Sequence, residues 1–223
     1  MAPCDDLKLS LLDDIGSLYP TGEFSDLVIT CGEKQFKAHR SIVSKRCAWF
    51  NKALLSNFKE ASGVIQLPED DPETIDLMLQ YIYRSDYTLS HLDSTQSGDG
   101  FDLVVHGRVY VVAEKFGLDE LKTLSLRKFI EASSQHWDGD NFIIATREAY
   151  QNTMESDKAL REVVLAALYK HSELLDQENI QNCLQEVELL AFDLLMYIRL
   201  QTSFFKPKPG FGFDNHPGFG SGL

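Results

Sequence analysis

The sequence predicts an α+β fold: a small sheet packed with helices, followed by a helical segment. Three observations carry this. Apolar residues alternate at Leu27, Ile29 and Cys31, with Asp26, Val28 and Thr30 on the other face, the period of a half-buried strand. From Val43 onward the apolar spacing changes to three and four residues, the helical period, and breaks only at "VIQLPE", Val64 to Glu69, a short strand closed by proline. Beyond Ala132 every periodic run is helical.

Each element has its own signal. Leu7, Leu11, Ile15 and Leu18 open the chain as an amphipathic helix, stopped by Pro20 and Gly22. The first strand turns at Gly32-Glu33-Lys34 and returns over Gln35 to Ala38 as a hairpin. Val43, Cys47, Phe50 and Leu54 follow at helical intervals. Asp71-Pro72-Glu73 is a strong helix start: Asp caps, Pro lacks an N–H that would go unpaired there, and Glu faces the positive end of the dipole. Ile75, Met78, Leu79 and Ile82 are the buried stripe of that helix. "SHLDSTQSGDG", Ser90 to Gly100, is polar and aperiodic and predicts a surface loop. Val105, Val109, Val112 and Phe116 share one helical face, which Gly117 ends as a left-handed cap. Leu118, Leu121, Leu124 and Phe129 begin the next helix.

"ASSQHWDGDN", from Ala132, predicts a hinge between domains, and three helices are expected after it. Asp140 caps the first, which runs to about Tyr150. Leu160, Val163, Val164, Ala167, His171 and Leu174 mark the second; Ile180, Leu184, Val187, Ala191, Leu194 and Ile198 mark the third. Its end is apolar almost all round, so it is expected to be enclosed, at the centre of a bundle or against a partner. The chain therefore divides into an N-terminal helix (1–22), a sheet-and-helix domain (23–132), a helical segment (133–205) and a Gly/Pro/Phe-rich tail (206–223) expected to be disordered.

Charge narrows the partners. Lys and Arg number 21 against 34 Asp and Glu, a formal charge of −13. Such a surface repels phosphate backbones and anionic lipid, so neither nucleic acid nor membrane is an expected partner. The most apolar stretch, Leu189 to Leu200, is interrupted by Asp193 and Arg199 and is too short to span a bilayer. "MAPCDDLKLSLLDDIG" has acids where a signal peptide needs a basic start. Cys4, Cys31, Cys47 and Cys183 are scattered with no zinc or dithiol spacing. These features predict reduced thiols, no metal or other cofactor, and a soluble protein of the cytoplasm or nucleus.

The strand hairpin, helix pair, short strand and later helices arrive with particular residues: "FSDLVI", "FKAHRSIVSKRCAWF", "IQLPEDDPETIDLMLQYIYRSDY" and "RVYVVAEKFGLDELK". In this order and at these spacings the chain resembles the BTB/POZ domain family, over roughly Glu23 to Ile130. The polar loop before "RVYVVAEKFG" is similar to that of the small BTB proteins common in filamentous fungi. The resemblance implies a non-catalytic protein-protein interaction module that binds protein partners. It also implies that the motif's Asp and His tie the hairpin to the helices.

Three groups of residues follow as candidates. The resemblance places Asp26 and Arg40 in a charged pocket near a dimer interface; an ion pair or a helix cap explains them equally well. Phe58-Lys59-Glu60 resembles the hydrophobic-x-Glu motif of BTB adaptors that bind cullin scaffolds. Phe58 would be the apolar anchor and Glu60 the rim charge, unless Phe58 folds back onto its own domain. Leu7, Leu11, Ile15 and Leu18 are the expected homodimer face, since a symmetric partner would bury them. A nucleophilic pairing of His39 with Cys47 is the weaker reading, because Cys47 shares a face with Val43 and Phe50 and a thiol buried there stays protonated. Two functions remain open: an adaptor linking targets to a cullin-type ubiquitin ligase, and an oligomerising scaffold in a transcriptional or other regulatory complex.

Overall fold

In the computed structural model, residues 3–55, 63–90 and 99–202 are described, with side chains from residue 10 onward. Helix α1 (Pro3–Thr21) leads into strands β1 (Leu27–Cys31) and β2 (Lys34–Ala38). Helices α2 (Arg40–Arg46) and α3 (Ala48–Leu55) then cross to β3 (Val64–Gln66). The sheet order is β2-β1-β3. β1 pairs antiparallel with β2, Leu27 opposite Ala38, and parallel with β3, Val28 opposite Val64. A parallel neighbour requires a crossover, and α2 with α3 provides it. The hairpin turn is the two residues Gly32 and Glu33, one shorter than the sequence suggests, because Lys34 already pairs with Cys31.

The predicted strand alternation and helix signals hold. Leu27, Ile29 and Cys31 are buried while Val28 and Thr30 are half-buried. Helix α4 (Pro72–Arg84) begins at Asp71, whose Oδ2 accepts the Thr74 backbone N–H at 2.9 Å and the Thr74 hydroxyl at 2.7 Å. Pro72 occupies the first turn, where its missing N–H costs nothing. Helix α5 (Phe101–Phe116) ends at Gly117, which sits at φ 67° and closes onto the carbonyls of Ala113 and Glu114. A side chain there would meet open space, so the left-handed backbone alone explains the glycine.

The stretch from Ala132 to Asn141 holds the end of one helix, a short connection and the start of the next. Helix α6 (Asp119–Gln135) runs through Ala132, and only residues 136–139 separate it from α7 (Asp140–Gln151). There is no clean division at the expected hinge, because α5 and α6 serve two cores. Val105, Val109, Val112, Ala113 and Phe116 face the sheet-side core, with α4. Leu103, Val104, Tyr110, Phe129 and Ala132 join the core of the following helices. The Lys122 ammonium binds Asp157 at 2.7 Å and Glu114 at 2.5 Å, and the Tyr110 hydroxyl donates to Asp157 at 2.7 Å, tying the two halves further.

The C-terminal helices also differ from expectation. Gly139 precedes α7 as its cap residue, and Asp140 is the first residue of the helix, not its cap. The second predicted helix stops as α8 (Ala159–Lys170), and Leu174 lies on a separate 3-10 turn, Ser172–Asp176. The third splits into α9 (Glu178–Glu186) and α10 (Leu190–Gln201). Leu189, at φ 68°, makes the break. Nor is α10 enclosed. Leu190 and Leu194 are buried, whereas Phe192, Leu195 and Leu200 are exposed to solvent. The tail from residue 206 and most of the Ser90 to Gly100 loop lie outside the described residues.

Candidate interaction surfaces and the brace beneath them

The residues that look most chemical form an internal brace. His39 follows β2 and is buried. Its Nε2 lies 2.6 Å from the Glu23 carbonyl oxygen, which only accepts, so Nε2 carries the proton. Its Nδ1 lies 2.8 Å from the Tyr83 hydroxyl. That hydroxyl also accepts the His39 backbone N–H, at 2.8 Å. A neutral ring therefore has one arrangement: Tyr83 donates to Nδ1 while its oxygen receives the backbone proton. Burial, with a smaller push from Asp26, moves the Tyr83 phenol up to about 12. Tyr19, from α1, stacks on Tyr83 at 5.2 Å between ring centroids and donates to Asp76 Oδ1. Burial first, then Asp76, holds the Tyr19 phenol far above its ordinary range.

This network joins α1, the strand entry, β2 and α4. It leaves His39 no nitrogen with which to act as a general base. Cys47 is buried with its Sγ 3.6 Å from the Phe116 carbonyl, and burial raises its thiol. Cys31 is likewise buried, with its Sγ 3.1 Å from the Asp70 carbonyl, and burial raises it too. A raised thiol is a poor nucleophile at neutral pH. Among the described residues no group of His, Cys, Asp and Glu is placed to hold a metal ion.

Asp26 and Arg40 are brought together. The Asp26 carboxylate accepts the Arg40 backbone N–H at 2.8 Å, satisfying one of the donors left open at the start of α2. The Arg40 guanidinium reaches the neighbourhood of Gly63, ahead of β3, where a Cβ would come within 3.8 Å of it. Gly63 itself sits at φ 94°, and its carbonyl accepts the Val28 N–H at 2.9 Å.

On α1, the predicted stripe divides. Ile15 and Leu18 pack against the chain's own core, beside α4, so they do not lie idle on an isolated domain. Leu11 is 60% exposed and Leu12, which the periodicity did not single out, is 40% exposed. Leu7 lies on α1, but its side chain is outside the described set. Phe24, one turn beyond the helix, is 90% exposed at φ 59°. Phe58 and Glu60 lie outside the described residues. Between α6 and α8 runs an open groove of about 440 Å³ with apolar walls, Leu126 and Ile130 opposite Val163 and Ala167.

One buried polar pair escaped the sequence reading. His106 of α5 meets the Tyr87 hydroxyl at 2.8 Å through Nδ1, and burial, helped by Lys128, pushes the imidazole down to about 4. His106 and Tyr87 stand 19 residues apart with the polar loop between them, so no local pattern announces the pair.

The BTB/POZ domain family model matches residues 16–132, half of the chain. BTB/POZ domain-containing protein 9 of Homo sapiens is 32% identical over 82 residues, 36% of this chain and 13% of that protein. Kelch-like protein 40 of Mus musculus is 28% identical over 79 residues, 35% of this chain and 13% of that protein. The matched segment thus spans about an eighth of those relatives' length. A solved structure, the BTB domain of zebrafish PATZ1, aligns with a TM-score of 0.44 at 12% identity, covering 57% of this chain and 94% of that one. The family match, set on a sheet whose His39 and Asp26 serve as braces, leads to one conclusion: the chain belongs to the BTB/POZ domain family, and its domain is a protein-interaction module.

Proposed function

We propose that the chain is a non-catalytic BTB adaptor that self-associates through α1 and links bound targets to a cullin-type ubiquitin-ligase scaffold. The observation that carries self-association is the division of α1. Ile15 and Leu18 anchor the helix to its own domain while Leu11 and Leu12 stay exposed. An apolar stripe anchored by Ile15 and Leu18 and left uncovered one turn earlier at Leu11 and Leu12 suits an isologous partner. The support for scaffold binding is sequence order: Phe58-Lys59-Glu60 stands just ahead of β3, where the cullin-binding members of the family carry a similar motif. Targets would meet the helices after Asp140. Charge favours partners that are neither nucleic acid nor membrane, as the formal charge is −13.

A second reading is an oligomerising scaffold in a transcriptional or other regulatory complex with no ubiquitin role. The exposed α1 leucines favour it equally, because it needs no further surface. Affinity purification of the full chain separates the two. The adaptor predicts a co-purifying cullin that disappears in the Phe58→Ala, Glu60→Ala double variant. A partner set without a cullin supports the scaffold instead.

A further inference from the structure

The groove between α6 and α8 is an open apolar trough of about 440 Å³. Leu126 and Ile130 form one wall, and the short side chains of Val163, Ala166 and Ala167 form the other. Ile130 is 49% exposed. The lining runs along α8 from Ala159 to Lys170, about 16 Å at 1.5 Å per residue. His171 lines the Lys170 end, and its ring stacks on Trp137 at 3.6 Å and 7° between planes, which fixes that end. Scattered apolar residues need no explanation, but a concave apolar site wide enough for aromatic rings does.

The chain beyond Thr202 names the occupant. Tyr197 of α10 stands edge-on to Tyr169 of α8, 5.8 Å between ring centroids, and Lys170, next to Tyr169, lines the groove. Thr202 follows Tyr197 by only about 7.5 Å of helix, so α10 delivers the chain at the Lys170 end of the groove. The sequence continues for 21 residues, among them Phe204, Phe205, Phe211 and Phe213. Ser203 to Phe213 can span about 36 Å when extended, more than twice the groove's length. Pro207 and Pro209 favour extended backbone, which lowers the entropy cost of docking. Charge points the same way. Lys206 and Lys208 against Asp214 give this tail +1, so with the whole chain at −13, residues 1–202 carry −14. Glu162 is exposed on the groove rim, about 12 Å along α8 from Lys170 and within the span of both tail lysines.

We propose that the segment from Phe204 to Phe213 docks into the α6–α8 groove of its own chain, with phenyl rings on Ile130 and Val163 and its lysines toward Glu162. Tethering favours the chain's own tail over that of another copy. A short flexible link holds the segment at an effective concentration on the order of 1 mM, far above that of a second molecule. A partner that uses this groove has to displace the tail, so the chain regulates access to its own surface. The proposal goes beyond the adaptor and scaffold readings and rests on neither.

The test is nuclear magnetic resonance on the full chain with labelled methyl groups. The expected result is through-space contact between phenylalanine rings of the tail and the methyls of Ile130 and Val163. A variant with Phe204→Ser, Phe205→Ser, Phe211→Ser and Phe213→Ser should shift those groove methyls and leave Ile75 and Val109, in the sheet-side core, where they are. That variant alters no residue of the folded body, so the result does not hang on folding. Ala166→Glu, made in the groove itself, should abolish the ring contacts from the other side. A mixture of labelled and unlabelled chains tells one molecule from two. Absence of the ring contacts overturns the proposal and leaves the groove to a different protein. Contacts found only between copies, or groove methyls that ignore the loss of the phenylalanines, overturn it as well. None of these outcomes bears on cullin binding, which is read separately.

Discussion

His39 and His106 show how a buried imidazole is held by one tyrosine. His39 is pinned between a carbonyl and Tyr83, and its role is to fix the entry to β1 against α4. His106 has Tyr87 on one side and little water on the other. The folded His106 titrates near 4, below the ordinary 6.5, so the unfolded chain takes up the proton first. Its contribution to stability is complete above pH 6.5 and is lost as pH falls from there toward 4. Between pH 6.5 and 5 this amounts to about 1.5 kcal/mol. Urea unfolding at the two pH values should show that loss in the native chain and a smaller one in His106→Gln. Equal losses would mean that the imidazole is not responsible.

At the scale of elements, capping was legible and continuity was not. The Asp71-Pro72-Glu73 start of α4 lies within three residues, and the structure realises it with the side chain on the Thr74 N–H. Asp71→Ala should cost about 1 kcal/mol in urea unfolding, with Asp71→Asn costing less, because an amide oxygen still accepts. The break between α9 and α10 was not legible. Val187, Leu190 and Leu194 keep three- and four-residue spacing across it, so the period survives although the helix does not. Only Leu189, a residue with no preference for the left-handed region, makes the turn. The outward face of α10 was hidden for a related reason: an all-apolar helix suggests enclosure, and composition cannot say which side the rest of the chain covers.

In the whole molecule the sheet, its hairpin and the helices around it were readable from local period and punctuation. The shared role of α5 was not. Val105, Val109, Val112 and Phe116 announce one buried face, but Leu103, Val104 and Tyr110 share their core with residues of helices that follow much later, as far as Leu194. The site was legible to a similar degree. His39 and Asp26 were recognisable as braces, yet Tyr83, Tyr19 and Asp76, which complete the brace, come from elements far apart in sequence. The shared helices make a prediction. A chain ending at residue 135 would uncover Leu103, Val104, Tyr110 and Phe129. At roughly 1.5–3 kcal/mol for each large apolar side chain, that loss approaches the whole of an ordinary domain's stability. The truncated chain should aggregate or melt far below the full chain. A cooperative transition at the full chain's temperature would show that the two halves are independent.

The brace shapes the molecule and the surface does its work, and one comparison tests that division. Binding of the full chain to a purified cullin amino-terminal region is measured by calorimetry at 15 °C, with melting recorded alongside. Tyr83→Phe, which loses both His39 contacts at its hydroxyl, should lower stability by about 1–3 kcal/mol and bind like the native chain while folded. The Phe58→Ala, Glu60→Ala variant should melt like the native chain and fail to bind. A native chain that does not bind, or a folded Tyr83→Phe that fails to bind while the surface variant still does, would contradict the account.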